Sequence, residues 1–452
     1  MKNEEVARAA GSSKGEEQLA IYGGSPVRRQ PLPLEFPGIH FMDEEEIEAA
    51  SRVLRDRSPF RYYGVKLCEE VEQFEKEFAA HLGLPYAVAV SSGTGALHTA
   101  LSALGVGPGQ EIIVPAYMWV AVVAAVVNLG AIPILVDIDD TFGIDPEDLL
   151  RRITSRTRGI IAVHMSGAPI NVTPITKIAR ERGLFLLEDC AQANGASIEG
   201  QKVGTFGDMA IFSFQMNKNM TSGEGGCVVT RDLQMYRRAV ACHDLGYARD
   251  DQGRLMFDDP DLCVWGRGYR LDEVRGAVLR VQLRKLPAIV ERMRNSKYRI
   301  RQALETLSGV RLRRIIDPAG DTGAFLITVY ENATIAKEVN HALRAEGITT
   351  HPQGVSNIRM TEWGLHLYYN IVSLVTQRSV DKRGFPWSLA ENASSERRYE
   401  KGTCPVADGL FERSIIISIP SCLSSEDEDD IIHAFKKVLT PYCGEVSLTR
   451  AG

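Results

Sequence analysis

From Tyr86 onward the chain alternates between two patterns. Short apolar runs read as buried strands: YAVAV, EIIV, PILVDI, GIIAVH, LFLLED and MAIFSF. Between most of them lie segments with apolar residues three or four apart: TGALHTALSAL, WVAVVAAVVNLG, DPEDLLRRI and PITKIARERG. This alternation predicts an α/β fold, a mostly parallel sheet sandwiched by helices. Right-handed crossovers then bring the strand C-terminal ends to one edge, where ligands bind in such sheets. GGCVVT, Gly225 to Thr230, follows MAIFSF too closely for a parallel crossover, so it is expected to join antiparallel.

Upstream, one helix is expected from Asp43, with Ile47, Ala50 and Leu54 on one face. A second is expected with Val71, Phe74, Phe78 and Leu82 at helical spacing. Past Leu271 a long helical region runs to about Leu307, interrupted or kinked at Pro287. A strand (GAFLITVY), a helix (TIAKEVNHALRAEG) and a strand (SIIISIP) follow. Ser425 and Glu428 then form a possible capping box before IIHAFKKVL. The expected division is a flexible arm over 1–39, a large domain over 40–285 and a smaller α/β domain over 286–452. The stretch 363–404 is long and irregular, and reads as a lid, a substrate loop or a surface excursion.

Composition narrows the function classes. Of 452 residues, 44% are hydrophobic and 24% charged, with a net charge of -6, which gives no basic surface for nucleic acid. The longest apolar run, Trp119 to Val127, is too short to span a bilayer. The polar N-terminal segment lacks the apolar core of a secretion signal. Eight cysteines show no CxxC pair and no zinc spacing, so free thiols in a cytoplasmic protein and no metal site are expected. No GxGxxG follows the first strand, which argues against a nicotinamide site.

Four features fall at the ends of successive strands. SSGTGALH, Ser91 to His98, leads from a strand into a helix whose N-terminus, with the Thr94 hydroxyl, suits a phosphate; it equally suits a plain turn. Trp119, in PAYMWV, fits a ring-stacking position or a core aromatic. Asp189 ends the apolar run LFLL, where a carboxylate needs a cationic or donor partner, such as a protonated pyridine nitrogen; its alternative is a helix N-cap in the following CAQANG turn. Lys218, in FSFQMNKNMTSGEGG, is either a surface lysine beside a turn or a desolvated amine able to form a Schiff base. His164 ends a strand and reads first as a hydrogen-bonded structural residue, and Cys190 as a small buried one.

Together with GGSPVR, VEQFEKEFAAHLG, VDIDDTFGIDPEDL, ITSRTRGIIAVHMSG and GYRLDEVRGAVLRVQL, these motifs resemble the pyridoxal 5'-phosphate-dependent sugar aminotransferases of the DegT/DnrJ/EryC1/StrS type. The resemblance runs from about Gly23 to the C-terminus. It implies an aspartate-aminotransferase-like fold and a homodimer with shared active sites. It also implies transfer of an amino group from glutamate or glutamine to a keto-sugar or keto-cyclitol. Lys218 is similar to the family's catalytic lysine, Asp189 to the partner of the pyridine nitrogen and Gln192 to the residue near the ring hydroxyl. Trp119 takes the stacking position, and Thr94, Gly95 and Ser213 the phosphate positions. Deoxygenating relatives carry histidine in place of this lysine, so Lys218 argues against that chemistry. Elimination or dehydration on the same fold, or a non-catalytic cofactor-binding regulator, are the alternatives.

The chain departs from the family pattern at several points. Gly268 stands in GRGYR where asparagine is usual, which leaves the contact to a neighbouring phosphate without its usual side chain; Arg267 is a candidate replacement. Met118 replaces a hydroxyl residue, Asn194 stands where histidine is frequent, and the stretch from His366 to Cys404 is longer than the family norm. Tyr63 and His351 are further candidate substrate contacts.

Overall fold

A computed structural model describes residues 17–250, 252–350 and 356–443. The first sheet contains β1 (Tyr86–Val90), β2 (Glu111–Pro115), β3 (Ile132–Val136), β4 (Thr157–Val163) and β5 (Phe185–Asp189). After the two-residue strands β6 (Ser197–Ile198) and β7 (Gln201–Lys202), which pair with each other, come β8 (Met209–Ser213) and β9 (Gly226–Thr230). The seven-stranded order is β1-β9-β8-β5-β4-β2-β3. Only β9 is reversed, antiparallel to both β1 and β8; residues 214–225 between β8 and β9 form turns and no helix that could serve as a crossover. Alternate residues feed two cores: Val88 and Val90 face one, Ala87 and Ala89 the other. On the second face the rings of Phe74, Phe78, Phe212 and Phe214 pack at 5.0–5.5 Å, so the spacing Val71, Phe74, Phe78, Leu82 does mark a buried stripe.

The helix Glu44–Arg55 forms as expected, with a capping box between Asp43 and Glu46, but it turns a different face inward. Glu46, Ala49 and Val53 are buried, while Ile47 is 58% and Leu54 60% exposed. Ala49 and Val53 pack against Ala277 and Val281 of the helix Glu273–Leu304. The Glu46 carboxylate is carried inside by Lys285 Nζ at 2.8 Å and Gln282 Nε2 at 2.7 Å, which makes its burial tolerable. The long helix runs unbroken through Pro287. Leu279, Leu283, Leu286, Ile289, Val290 and Met293 are all buried in one core along it, and that packing outweighs the one lost backbone hydrogen bond.

The second sheet consists of β10 (Arg311–Leu312), β11 (Phe325–Val329), β12 (Asn357–Arg359) and β13 (Ser414–Ser418), in the order β10-β11-β13-β12 and all antiparallel. The helices Ala333–Ala345 and Ser425–Cys443 cover it. The capping box of the last helix is set one residue earlier than Ser425 and Glu428. Ser424 and Asp427 exchange the reciprocal bonds, and Glu428 pairs with Arg299 at 2.8 Å.

The part of the arm that is described, residues 17–38, is irregular but fastened. Arg28 pairs with Asp427 at 2.7 Å and Asp430 at 3.0 Å, Leu32 bridges Thr350, and Glu346 accepts the Ala20 and Val27 N–H groups. The stretch 363–404 is folded onto the first sheet. Leu367, Tyr368, Ile371, Leu374, Trp387 and Tyr399 are buried in its core. The Tyr399 hydroxyl donates to the Pro133 carbonyl of edge strand β3 at 2.9 Å. Asn392 accepts the Gly109 N–H at 2.8 Å and donates to the Gly130 carbonyl at 2.9 Å. The stretch thus covers a sheet edge that would otherwise present unpaired backbone groups. Among the described residues no helix is long and apolar enough to cross a membrane.

Candidate active site

The ends of β1, β8 and β9 meet tightly. Ser92 caps the helix Gly93–Ala103, its Oγ accepting the Gly95 N–H at 3.0 Å. A Cβ added to Gly93 would come within 2.8 Å of Ser213 Cβ, and one added to Gly226 within 2.4 Å of the Ser92 carbonyl oxygen. Glycine at both positions is therefore a packing requirement. Thr94 is exposed in the first helical turn, with buried Ser213 alongside. Gly95 has its N–H engaged by Ser92, and lacks the Cβ that would stand 3.3 Å from the Tyr269 ring. A helix N-terminus bordered by two hydroxyls suits an anionic group.

At the end of β5, Asp189 is 4% exposed, and its Oδ1 accepts the Ala191 N–H at 2.9 Å. Residues 191–195 form turns, so Asp189 caps no helix. Burial pushes its carboxyl above the ordinary range, opposed by the Ala191 N–H and by the Lys218 charge. Lys218 lies in the loop between β8 and β9, its N–H bonded to the Gln215 carbonyl at 2.9 Å and its own carbonyl accepting the Gly38 N–H at 3.2 Å. Desolvation lowers the pKa of its amine, and Asp189 and Glu224 partly offset that shift. The amine is desolvated, as that of a surface lysine beside a turn would not be.

Gln192 follows on the same turn. Its Oε1 accepts the Ser166 N–H at 2.9 Å, and its Nε2 reaches His366 Nε2 at 3.4 Å. Ser166 adopts a left-handed conformation at φ 59° and its Oγ meets the Tyr117 hydroxyl at 2.6 Å. Trp119 stands beside the same histidine, ring centroids 4.7 Å apart. His366 and Trp363, which supplies the other flanking ring at 4.7 Å, are site residues the sequence pattern did not mark. They come from the irregular stretch, where no periodicity points to a partner.

The other candidates lie elsewhere. In the single chain, Arg267 donates to His98 Nδ1 at 2.5 Å, one turn along the helix Gly93–Ala103 from Thr94. Burial and that guanidinium hold His98 down at about 4. A Cβ on Gly268 would meet nothing closer than Leu245 Cδ2 at 3.8 Å, so the glycine answers no steric need. Tyr63 is exposed and rests on Phe60 at 4.6 Å. His351 lies outside the described residues. His164, Glu188 and Cys190 are close enough to hold a metal, but His164 and Glu188 already bond to one another and to backbone N–H groups. His164 Nδ1 accepts the Ile170 N–H at 3.2 Å, so Nε2 carries the proton and donates to Glu188 at 3.1 Å. Glu188 also accepts the N–H groups of Gly204, Phe206 and Gly207, and burial pushes the Cys190 thiol well up.

The site thus offers an anion cradle, a buried carboxylate suited to a protonated aromatic nitrogen and a desolvated amine. That donor set fits a phosphorylated pyridine aldehyde. A family model described as the DegT/DnrJ/EryC1/StrS aminotransferase family matches residues 41–362. The chain is 41% identical over 255 residues to the 3-amino-5-hydroxybenzoate synthase of Amycolatopsis mediterranei, an alignment spanning 56% of this chain and 63% of that protein. It is 31% identical over 436 residues to the L-glutamine:2-deoxy-scyllo-inosose aminotransferase of Streptomyces lividus, covering 94% of this chain and 98% of that one. The crystal structure of 3-amino-5-hydroxybenzoic acid synthase is similar at a TM-score of 0.71 and 28% identity, over 89% of this chain and 97% of that one.

Proposed function

Because the chain belongs to the DegT/DnrJ/EryC1/StrS aminotransferase family, we propose that it uses pyridoxal 5'-phosphate to move an amino group from glutamine or glutamate to a ketone on a sugar or cyclitol. The product would enter an amino sugar, an antibiotic or a surface glycan. One observation carries the reading: the buried Asp189 carboxylate ends β5, and the desolvated Lys218 amine follows the adjacent strand β8 at the same edge of the sheet. The cofactor, when bound, supplies a carbonyl for the amino group and an electron-withdrawing ring. Asp189 would hold the ring nitrogen, Gln192 the ring hydroxyl, and Trp119 the ring face. Thr94, Gly95 and Ser213 would line the phosphate cradle. Lys218, more readily neutral at physiological pH than an exposed lysine, would carry the proton to and from the reacting carbon.

A homodimer is part of the proposal. Tyr63, Val65, Leu245, Phe257 and Trp265 are exposed, Trp265 at 99%. The loops that bear them are tied together by Arg249 over the Tyr62 ring at 3.9 Å and by the pairing of Arg249 and Arg270 with Asp244. Such an apolar patch on a polar chain is suited to a second copy. Arg267 and Tyr63 belong to the same region and would then face the neighbouring subunit's site. The described cysteines are all free thiols, which accords with a cytoplasmic enzyme.

Purified protein with pyridoxal 5'-phosphate should be yellow and lose that colour when glutamine or glutamate is added without acceptor. Lys218→Ala should abolish turnover. Full turnover in that variant would overturn the reading.

A further inference from the structure

We propose that His366 is a specificity-determining residue of this site, and that its Nε2 accepts a hydrogen bond from a hydroxyl of the ketone substrate. The inference rests on the aminotransferase reading above. The protonation of the ring follows from its partners. His366 Nδ1 lies 2.8 Å from the Trp363 carbonyl oxygen, which can only accept, so Nδ1 carries the hydrogen. Gln192 Oε1 is occupied by the Ser166 N–H, so the amide nitrogen of Gln192 is the group turned toward His366 Nε2. Nε2 is therefore an acceptor, and the 3.4 Å contact it receives is too long to satisfy it fully.

The ring is also neutral. Burial lowers its pKa to about 4, against a raising contact from the Trp363 carbonyl, and the Lys218 charge lowers it further. A neutral acceptor nitrogen gives no attraction to the carboxylates of glutamine or glutamate. It suits a hydroxyl, which a sugar or cyclitol presents in number. The rings of Trp119 and Trp363, both 4.7 Å from His366, fix its plane, and Trp363 is braced edge-on by Phe325 of the second sheet at 5.5 Å. Apolar ring faces beside one oriented polar atom are a common arrangement for binding polyhydroxylated small molecules.

The test uses holoenzyme, L-glutamine as donor, and two acceptor probes: scyllo-inosose, which is polyhydroxylated, and cyclohexanone, which has no hydroxyl. His366→Phe keeps an aromatic ring between the tryptophans and removes the acceptor, while His366→Gln returns an acceptor oxygen near the position of Nε2. The colour loss with glutamine alone is measured in all three proteins and sets the reference for the acceptor half-reaction of each. For scyllo-inosose, His366→Phe should raise KM about ten-fold or more with little change in kcat, and His366→Gln should recover most of the loss. Cyclohexanone should not distinguish the three proteins. In ¹⁵N-histidine spectra the Nε2 signal of His366 should move on addition of scyllo-inosose and not of glutamine. If the wild type loses no colour with either amino donor, the aminotransferase reading itself fails. If colour is lost but His366→Phe keeps its KM, or the wild type does not prefer scyllo-inosose to cyclohexanone, the assignment of His366 is overturned. A change in cofactor affinity with an unchanged KM would place His366 on the cofactor instead, and also overturn it.

Discussion

Asp189→Asn should separate what the carboxylate does for the fold from what it does for catalysis. Asp189 is buried, and its Oδ1 holds the Ala191 N–H at 2.9 Å. Asparagine keeps that bond through its carbonyl oxygen and gives up the negative charge. Burial disfavours the charge, and the Ala191 N–H and Lys218 only partly compensate, so the carboxyl's pKa is raised from 3.8. The folded chain then holds this proton more readily than the unfolded one. Apoprotein stability contributed by this group falls as pH climbs from 3.8 through the raised value, and the asparagine variant lacks that loss. At pH 7 the variant apoprotein should be as stable as the wild type or more so, within about 1 kcal/mol. Turnover should move the other way. Losing a hydrogen bond between a charged carboxylate and a protonated ring nitrogen is worth about 1.5–3 kcal/mol, or a rate lower by about ten- to two-hundred-fold. Urea unfolding of the apoproteins and a coupled assay of the holoenzymes read the two effects. A variant apoprotein weaker by more than about 2 kcal/mol would make Asp189 a structural residue, and unchanged turnover would remove it from the site.

Gly93→Ala should cost about 1–3 kcal/mol in a urea melt and weaken phosphate or cofactor binding, since its Cβ would stand 2.8 Å from Ser213 Cβ; an unchanged melt would contradict the packing argument. Gly268→Asn should leave the melt within about 0.5 kcal/mol, because its Cβ meets nothing within 3.8 Å, and cofactor dissociation should be equal or slower; a large loss of stability would show a constraint on this glycine that the contacts do not contain. Asn392→Ala should destabilise the fold by about 2 kcal/mol or more, as it strands the Gly109 N–H and the Gly130 and Pro386 carbonyls together. Proteolysis confined to 363–404 with an intact melt would instead show that the stretch is only loosely attached.

Much of this architecture is legible in the chain because buried strands of a parallel sheet are continuous apolar runs. All six runs named in the sequence become strands of the first sheet, and β9, joined to β8 by a stretch without a helix, runs antiparallel. The site residues at strand ends were legible for the same reason: the topology places Thr94, Asp189 and Ser213 along one edge. Other features were hidden by physics that a local pattern does not carry. Ile47 and Leu54 form as good an apolar stripe as Ala49 and Val53, and the bonds from Lys285 and Gln282 to Glu46 explain why a glutamate face turns inward. Pro287 stays helical because tertiary packing outweighs one lost bond. Ser424 with Asp427 has the same capping chemistry as Ser425 with Glu428, and sequence alone does not choose between registers one residue apart. His366 meets Gln192 across 174 residues, from a stretch with no periodicity to announce it.

The most direct test of the central claim is where the cofactor attaches. Protein reconstituted with pyridoxal 5'-phosphate, reduced with borohydride and digested should yield one modified peptide, FSFQMNKNMTSGEGG or a fragment of it, with the reduced cofactor on Lys218. Modification at another lysine, or none in a protein that still transfers amino groups, would contradict the account.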